Sequence, residues 1–537
     1  MPTSLDSLPD DTAELKRIIA DLAFDYEERI DSLKQDHDAA LSSLLQELES
    51  LKAQLRLALK RVFGRSSEAA PGQGELFNEA EQLAAEEGIS AVEPETEVPA
   101  HRRRKPGRKP LPAHLPRIEV VYELDDAERT CPNDGQVLKE IGEETSELLD
   151  IVPAKVRVIR RVRKKYACPD CESHVARAPM PQSLLPKSIA SPSLLAQIAL
   201  YKYQDALPLY RQEQVLERMG VTVSRTTQAS WMIKVGQALT PLLAFMREDL
   251  LRASVVHSDE TTVQVLKEAG RRPEQTSYMW VQVAGTGPPI VLYHYAPSRA
   301  RAVVKRLLDG YEGTLVTDGY SAYETVPARH AGCWVHARRK FHEALKAQPK
   351  GRTGKALVGF NYIQQLFRLE KGYQELDAEA RRKARCERSQ PVVDELRRWL
   401  DTSLPQVSPK TLVGKALGYL DGQWDKLTTF LEDGEVPIHN NLAENKIRPF
   451  VIGRKNWLFC NSVQGADASA ALYSLMETTK ANDLELSMYL AWLFHTLPNT
   501  DHDDPEALRA LLPYQVDRER IIEYFAQQSA LMEGAGK

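Results

Sequence analysis

Three acids in this 537-residue chain have the type and setting to hold divalent cations: Asp259, Asp318 and Glu444. Asp259 closes a short apolar run in His257-Ser258-Asp259-Glu260-Thr261, and Asp318 closes another in Thr317-Asp318-Gly319-Tyr320. Glu444 stands in Asn440-Asn441-Leu442-Ala443-Glu444, which reads as the start of a helix. Carboxylates at the ends of neighbouring strands converge, and a helical acid laid over them completes an oxygen cluster suited to two Mg2+ or Mn2+ ions about 3.5–4 Å apart. Such a pair activates water or a 3′-hydroxyl on one side of a phosphodiester and stabilises the leaving oxygen on the other. Each acid also has an ordinary structural reading. Strand-end aspartates commonly serve turns, and Asn441-x-x-Glu444 has the spacing of a capping box. Residue type and spacing alone leave both readings open.

The elements that must position these acids are short strands rich in β-branched and aromatic residues, at Val255–Ser258, Tyr278–Val283, Ile290–Tyr295 and Thr314–Thr317, with a fifth run at Cys333–Val335. Residues 337–432 then read as helical, and a helical stretch at Ala470–Leu497 precedes a polar tail.

Upstream lie segments suited to nucleic acid. The chain carries a net charge of −5, but the charge is unevenly spread. Residues 79–100 hold seven Glu and no base, whereas 101–117 and 155–165 each hold seven Lys or Arg and no acid. Local basic surface is what phosphate contact requires, because counterions are released where the protein touches. Arg102, Arg103, Arg104, Lys105, Arg108 and Lys109 form a stretch similar to an AT-hook, and equally compatible with a solvated linker. Leu209–Arg218, a glycine turn, Ser224 and a second helical run have the spacing of a helix-turn-helix, which would offer Arg225 and Gln228 to base edges. Paired helices of this kind also occur in domains that never meet DNA.

Six cysteines do not make a disulfide framework in a chain of this length. Cys131, Cys168 and Cys171 instead form two knuckles flanking a β-rich stretch at Val156–Val162, as in a zinc ribbon, with Asp134 where a fourth Cys belongs. Either a Cys3Asp site holds Zn2+ or the fold stands without metal. Leu41, Leu44, Leu48, Leu51 and Leu55 follow a heptad seam that favours a coiled-coil homo-oligomer, at least a dimer, over a lone amphipathic helix. With 42% hydrophobic and 27% charged residues, no signal-peptide pattern and no long apolar run, the expected location is the cytoplasm, with no membrane partner.

Several longer motifs occur in order: Arg108-Lys-Pro-Leu-Pro112, Leu207-Pro-Leu-Tyr-Arg211, His257-Ser-Asp-Glu-Thr261, Asp318-Gly-Tyr-Ser-Ala-Tyr323, Cys333-Trp-Val-His-Ala-Arg-Arg-Lys-Phe341, Asn440-Asn-Leu-Ala-Glu444 and Gly453-Arg-Lys-Asn-Trp-Leu-Phe459. With them the chain resembles, over nearly its whole length, the large transposase of the Insertion Sequence 66 family, a group of DDE transposases. The resemblance implies a multidomain α+β protein with an RNase H-like catalytic core. It assigns Asp259, Asp318 and Glu444 as ligands of two Mg2+ or Mn2+ ions. Terminal inverted repeats and target DNA are the implied partners, with small accessory proteins of the same element. Arg338, Arg339, Arg448, Arg454, Lys455 and Trp457 are the implied DNA contacts around the core, and Cys333-x-x-His336 is similar to a motif found after the second Asp in several DDE groups. Asp134 departs from a family knuckle that usually has two Cys, and Asn445 stands where the family often carries Arg.

The resulting organisation is an oligomerisation helix over 1–68, a linker with the AT-hook-like segment over 69–125 and a zinc-ribbon-like module over 126–180. A helix-turn-helix region follows over 187–245, then the first part of the core over 250–344, an all-helical insertion over 345–435, the second part of the core over 436–500 and a tail over 501–537. The leading expectation is DNA strand cleavage and transfer. A DNA-binding repressor or assembly factor with an inert core is the competing one, and it would not need all three acids.

Overall fold

The computed structural model describes residues 11–63, 136, 155–167, 175–347 and 354–534. The chain divides into two compact units, residues 1–85 with 162–537, and residues 86–161. In the second unit, residues 155–161 are exposed and carry no regular secondary structure. The remaining elements belong to the first.

Helix α1 (Thr12–Phe63) runs for 52 residues. Its seam leucines stay exposed, from 47% at Leu48 to 64% at Leu44, so the apolar stripe is not spent on the chain's own core. The strand read at Val156–Val162 is absent. Instead β1 (Lys165–Ala167) pairs antiparallel with β2 (Val175–Arg177), and Cys168 and Cys171, between them, lie outside the described residues.

Helix α2 (Pro192–Ala199) starts at Ser191, whose Oγ accepts the Leu194 N–H. Helices α3 (Leu209–Arg218) and α4 (Arg225–Ala238) are joined through Gly220 at φ +85°, a conformation that a side chain would strain. Ser224 then caps α4 by accepting the Thr227 N–H. Gly236 lets α4 lie against the core, since a Cβ there would come within 2.8 Å of the Ala468 backbone. Helix α5 (Thr240–Leu251) leads into the sheet.

Five strands, β3 (Val255–Lys267), β4 (Thr276–Ala284), β5 (Val291–Ala296), β6 (Thr314–Thr317) and β7 (Arg329–Gly332), are ordered β5-β4-β3-β6-β7. The β3–β4 and β4–β5 pairs are antiparallel, while β3–β6 and β6–β7 are parallel. Helix α6 (Arg301–Leu307) makes the crossover to β6. The run at Cys333–Val335 is not a strand. β7 ends at Gly332, and Trp334 opens α7 (Trp334–Ala347), with its indole N–H bonded to the Leu427 carbonyl.

Helices α8 (Lys355–Lys371), α9 (Ala378–Ala384), α10 (Gln390–Ser403), α11 (Leu412–Gly422) and α12 (Trp424–Thr428) fill the interval between Asp318 and Glu444. They build a second core around Trp334, Phe341, Leu396 and Phe430, which also takes in Val255 and Val316 of the sheet. The buried Arg385 ties this group together. It pairs with Glu370 and donates to the carbonyls of Phe430, Asp433 and Val436 at 2.7–2.9 Å, fixing the segment that leads to α13 (Asn441–Trp457).

Strand β8 (Cys460–Ser462) pairs with the far end of β3. Helix α14 (Val463–Ala481) is buried almost all round and covers the edge strand β5. There Ser474 and Thr478 accept the N–H groups of Tyr293 and Val291 at 2.7 and 2.9 Å, satisfying backbone that an edge would leave unpaired. Helices α15 (Leu486–Thr496), α16 (Pro505–Arg509) and α17 (Arg518–Gly534) complete the fold, so the polar tail is largely helical. No helix among the described residues is long and apolar enough to cross a membrane.

Candidate metal centre

Asp259 lies within β3, not at its end, because β3 continues as a long hairpin with β4 past the point where its parallel neighbour stops. The register pairs His257 with Val316, and the same register carried one residue past the end of β6 sets Asp318 level with Asp259. Adjacent strands are about 4.8 Å apart. The two residues therefore stand level at the carboxyl end of the parallel strands, where open sheets place their ligands, while the ligand atoms of Asp259, Asp318 and Glu444 do not form a group within 4.8 Å of one another among the described residues.

Glu444 enters from the first turn of α13 and is 8% exposed. Asn440, fully buried, fixes that turn. Its Nδ2 donates to the Ser258 carbonyl at 3.0 Å and its Oδ1 faces His257 Nδ1 at 2.9 Å. Its backbone N–H reaches Cys333 Sγ at 3.2 Å, and its carbonyl accepts the Glu444 N–H. The side chain of this N-cap residue thus caps no helix N–H and instead fastens the helix to the strand bearing Asp259.

The acids act on one another. Burial pushes the Asp259 carboxyl well up, and the charges of Glu260, Glu444 and Asp318 push it the same way. A buried carboxyl whose charged form is penalised by burial and by neighbouring acids is chemically matched to hard divalent cations, which take oxygen donors. Asp318 keeps one oxygen on the Tyr320 N–H at 2.9 Å, and its other oxygen lies 4.0 Å from Arg299.

A trio of potential ligand atoms within 4.8 Å of one another, among the described residues, is Cys333, His336 and Glu444. His336 Nδ1 stands 3.9 Å from Glu444 Oε1, and burial together with the Arg339 and Lys340 charges holds its pKa down at about 4. Burial pushes the Cys333 thiol up, and its Sγ takes the Asn440 N–H.

The sequence profile of the Transposase IS66 family matches residues 187–468, a span that contains Asp259, Asp318 and Glu444. The chain belongs to the IS66 transposase family. Two further profiles match: "Transposase C of IS166 homeodomain" over 50–120 and the "zinc-finger binding domain of transposase IS66" over 128–172. Among curated relatives, the uncharacterized protein y4qI of Sinorhizobium fredii is 33% identical over 96% of this chain and 98% of its own length. The uncharacterized protein y4jD of the same organism is 35% identical over 71% of this chain and 76% of its own. No solved structure matches significantly.

For an IS66 transposase the expected DNA contacts divide sharply. Arg225 is exposed at the start of α4. Gln228 is not available: it is fully buried and its Nε2 donates to the Val223 carbonyl at 2.9 Å, bracing the turn. Arg338 is also withdrawn, 6% exposed, bonded to Gln364 and stacked 4.6 Å over Phe360. Both face the core because their helices pack on that side, a direction that motif position alone does not give. Arg339 and Arg448 are half-buried, and Lys455 is exposed. Arg454 binds the hydroxyls of Thr261 and Thr262 at 3.2 and 2.9 Å, just beyond Asp259 on β3. Trp457 packs edge-on against Phe450, with Lys202 over its ring at 5.4 Å. Arg102, Arg103, Arg104, Lys105, Arg108, Lys109, Cys131 and Asp134 lie outside the described residues, as do Cys168 and Cys171.

Sequence reasoning gave no role to Asn440, His257, Glu260 or Arg299. The first three stand inside quoted motifs, where an amide and an imidazole beside two acids were the available signal. Arg299 lies in no motif and only the fold brings it to the site.

Proposed function

We propose that this IS66-family chain is an active DDE transposase, in which Asp259, Asp318 and Glu444 hold two Mg2+ or Mn2+ ions that serve DNA strand cleavage and strand transfer. The observation that carries this reading is the register that sets Asp318, just past the end of β6, level with Asp259 on β3, with the helix of Glu444 fastened to β3 through Asn440. When bound, the ions supply Lewis-acid activation of the attacking oxygen and stabilisation of the leaving one. The chain's own contribution is to keep the acids oriented and to grip phosphate with Lys455, Arg448 and other basic groups.

The strand order β5-β4-β3-β6-β7, with its first three strands antiparallel, supports an RNase H-like core into which the helices of 355–431 are inserted. The exposed leucine seam of α1 supports a coiled-coil homo-oligomer, and such a pairing would bring two element ends together. Cys131, Asp134, Cys168 and Cys171 fall in the segment matched by the zinc-finger profile, which supports a Zn2+ site there. The helix-turn-helix and the basic 101–117 segment are the parts that would read the terminal repeats, on DNA in the cytoplasm.

The test is incubation with labelled terminal-repeat duplex, Mg2+ or Mn2+ and the element's accessory proteins, beside an Asp259→Asn variant. Cleavage and joining by the unaltered chain alone supports the enzyme. Specific binding with no chemistry in either would favour the inert repressor or assembly factor.

A further inference from the structure

Arg299 lies in the loop between β5 and α6, remote in sequence from every acid of the site, yet its side chain reaches into the acidic cluster. One edge of its guanidinium is fixed: Nε and Nη2 pair with the Glu260 carboxylate. Its flat face lies 3.7 Å over the Tyr320 ring, and its backbone carbonyl accepts the Tyr320 hydroxyl at 2.8 Å. Glu260 is itself pinned from behind by the Tyr323 hydroxyl at 2.7 Å and is 2% exposed at its side chain. Nη1 has no hydrogen-bond partner among the described residues, and the side chain is 37% exposed beside Asp318 Oδ2, 4.0 Å from Nη2.

Burying a fourth acid next to Asp259 is electrostatically costly, since Glu260 is the foremost charge raising Asp259. A carboxylate kept in such a place has a use if it aims something. What it aims is a planar cation, clamped on one edge and one face and open on the other edge, level with the second acid of the candidate metal centre. Guanidinium forks match the paired oxygens of a phosphate.

Resting on the transposase reading above, we infer that Arg299 contacts a non-bridging oxygen of the scissile phosphate and is a catalytic residue, with Glu260, Tyr320 and Tyr323 as its positioning residues. In the cleavage step a water oxygen forms a bond to phosphorus while the bond to the 3′-oxygen breaks, leaving a 3′-hydroxyl and a 5′-phosphate. The proton released by the water balances the one taken up by the 3′-oxygen. Negative charge on the non-bridging oxygens persists throughout, and Arg299 is placed to meet it.

The experiment is a binding cycle with the full chain in Ca2+, on terminal-repeat duplexes carrying a neutral methylphosphonate walked one phosphate at a time across the element end. Unaltered protein should lose about tenfold or more in affinity when the scissile phosphate is neutralised, as expected for one charge-assisted contact. In Arg299→Ala that loss should vanish at the same position and persist at neighbouring ones, and Glu260→Gln should diminish it. A variant that merely misfolds would lose affinity at every position, and Arg299→Gln, which keeps a polar side chain without the charge, would then be read in its place. If the folded variant, Arg299→Ala or Arg299→Gln, pays the same positional penalty as unaltered protein, Arg299 only balances the acids and the assignment fails. Because the cycle reads binding, failure of cleavage in Mg2+ would count against the transposase reading and not against this contact.

Discussion

His257 Nδ1 and Asn440 Oδ1 lie 2.9 Å apart in the interior, across 183 positions of sequence. Since Asn440 Nδ2 donates to the Ser258 carbonyl, its Oδ1 is the acceptor and His257 carries the proton on Nδ1. This pair joins the strand of Asp259 to the helix of Glu444, and it does so entirely out of water. Asn440→Ala leaves two buried groups unpaired and should cost about 2–4 kcal/mol of stability. The folded fraction should bind Mn2+ more weakly, because Glu444 loses its anchor. Thermal unfolding and Mn2+ titration measure the two effects, and unchanged Mn2+ affinity would remove Asn440 from the role given to it.

The exposed and withdrawn basic residues should behave differently on DNA. Lys455→Ala should weaken binding to all sequences and flatten the dependence of log K on log salt by about one unit. Arg225→Ala should relax preference at one base position, at about 1–3 kcal/mol. Gln228→Ala and Arg338→Ala should lower thermal stability and leave the salt slope and base preference as they were. Shift assays on variant duplexes at several salt concentrations separate these outcomes.

Leu458 follows α13 at φ +66°, ψ −53°, with the Phe459 N–H closing a three-residue turn onto the Trp457 carbonyl at 2.9 Å. A non-glycine residue in this conformation stores about 1–3 kcal/mol of strain. Its side chain is 63% exposed, so little packing is lost on removal. Leu458→Gly should therefore leave stability unchanged or raise it by about 1 kcal/mol, after allowance for glycine's greater freedom when unfolded. A clear fall in the unfolding midpoint would show that Leu458 contributes contacts.

Burial and the charges of Arg247 and Arg306 hold His294 down at about 4. Unfolding frees it to bind a proton below its ordinary value near 6.5, so the unfolded chain takes up more protons between about pH 6.5 and pH 4. Its share of stability is present above that window and lost as pH falls through it, at most about 3 kcal/mol. His294→Gln should flatten the acid limb of the unfolding midpoint against pH, and an unaltered limb would assign it elsewhere.

Much of this was legible in sequence, for reasons that particular residues make clear. Ser224 and Gly220 marked the turn between α3 and α4 because capping and positive φ are local demands. Thr314–Thr317 read as a strand because its residues are mostly β-branched, and all four are buried in the sheet. Asp259 read as a strand end because its polar neighbours interrupt the apolar run, whereas the strand continues on hydrogen bonds to β4 that composition does not display. Cys333–Val335 read as a strand because a buried Trp at a helix start looks like a strand residue. The inward turn of Gln228 and Arg338 depends on which side of a helix meets the core. Glu260 and Arg299 meet only through the fold, and no local rule links them.

The most direct test of the central claim is electron paramagnetic resonance of Mn2+ titrated into the chain bound to a terminal-repeat duplex. Two magnetically coupled Mn2+ ions per site are expected. That signal should be lost in a chain carrying Asp259→Asn, Asp318→Asn and Glu444→Gln, although the duplex stays bound. The same coupled spectrum and the same Mn2+ count in that triple variant would contradict the assignment of these three acids.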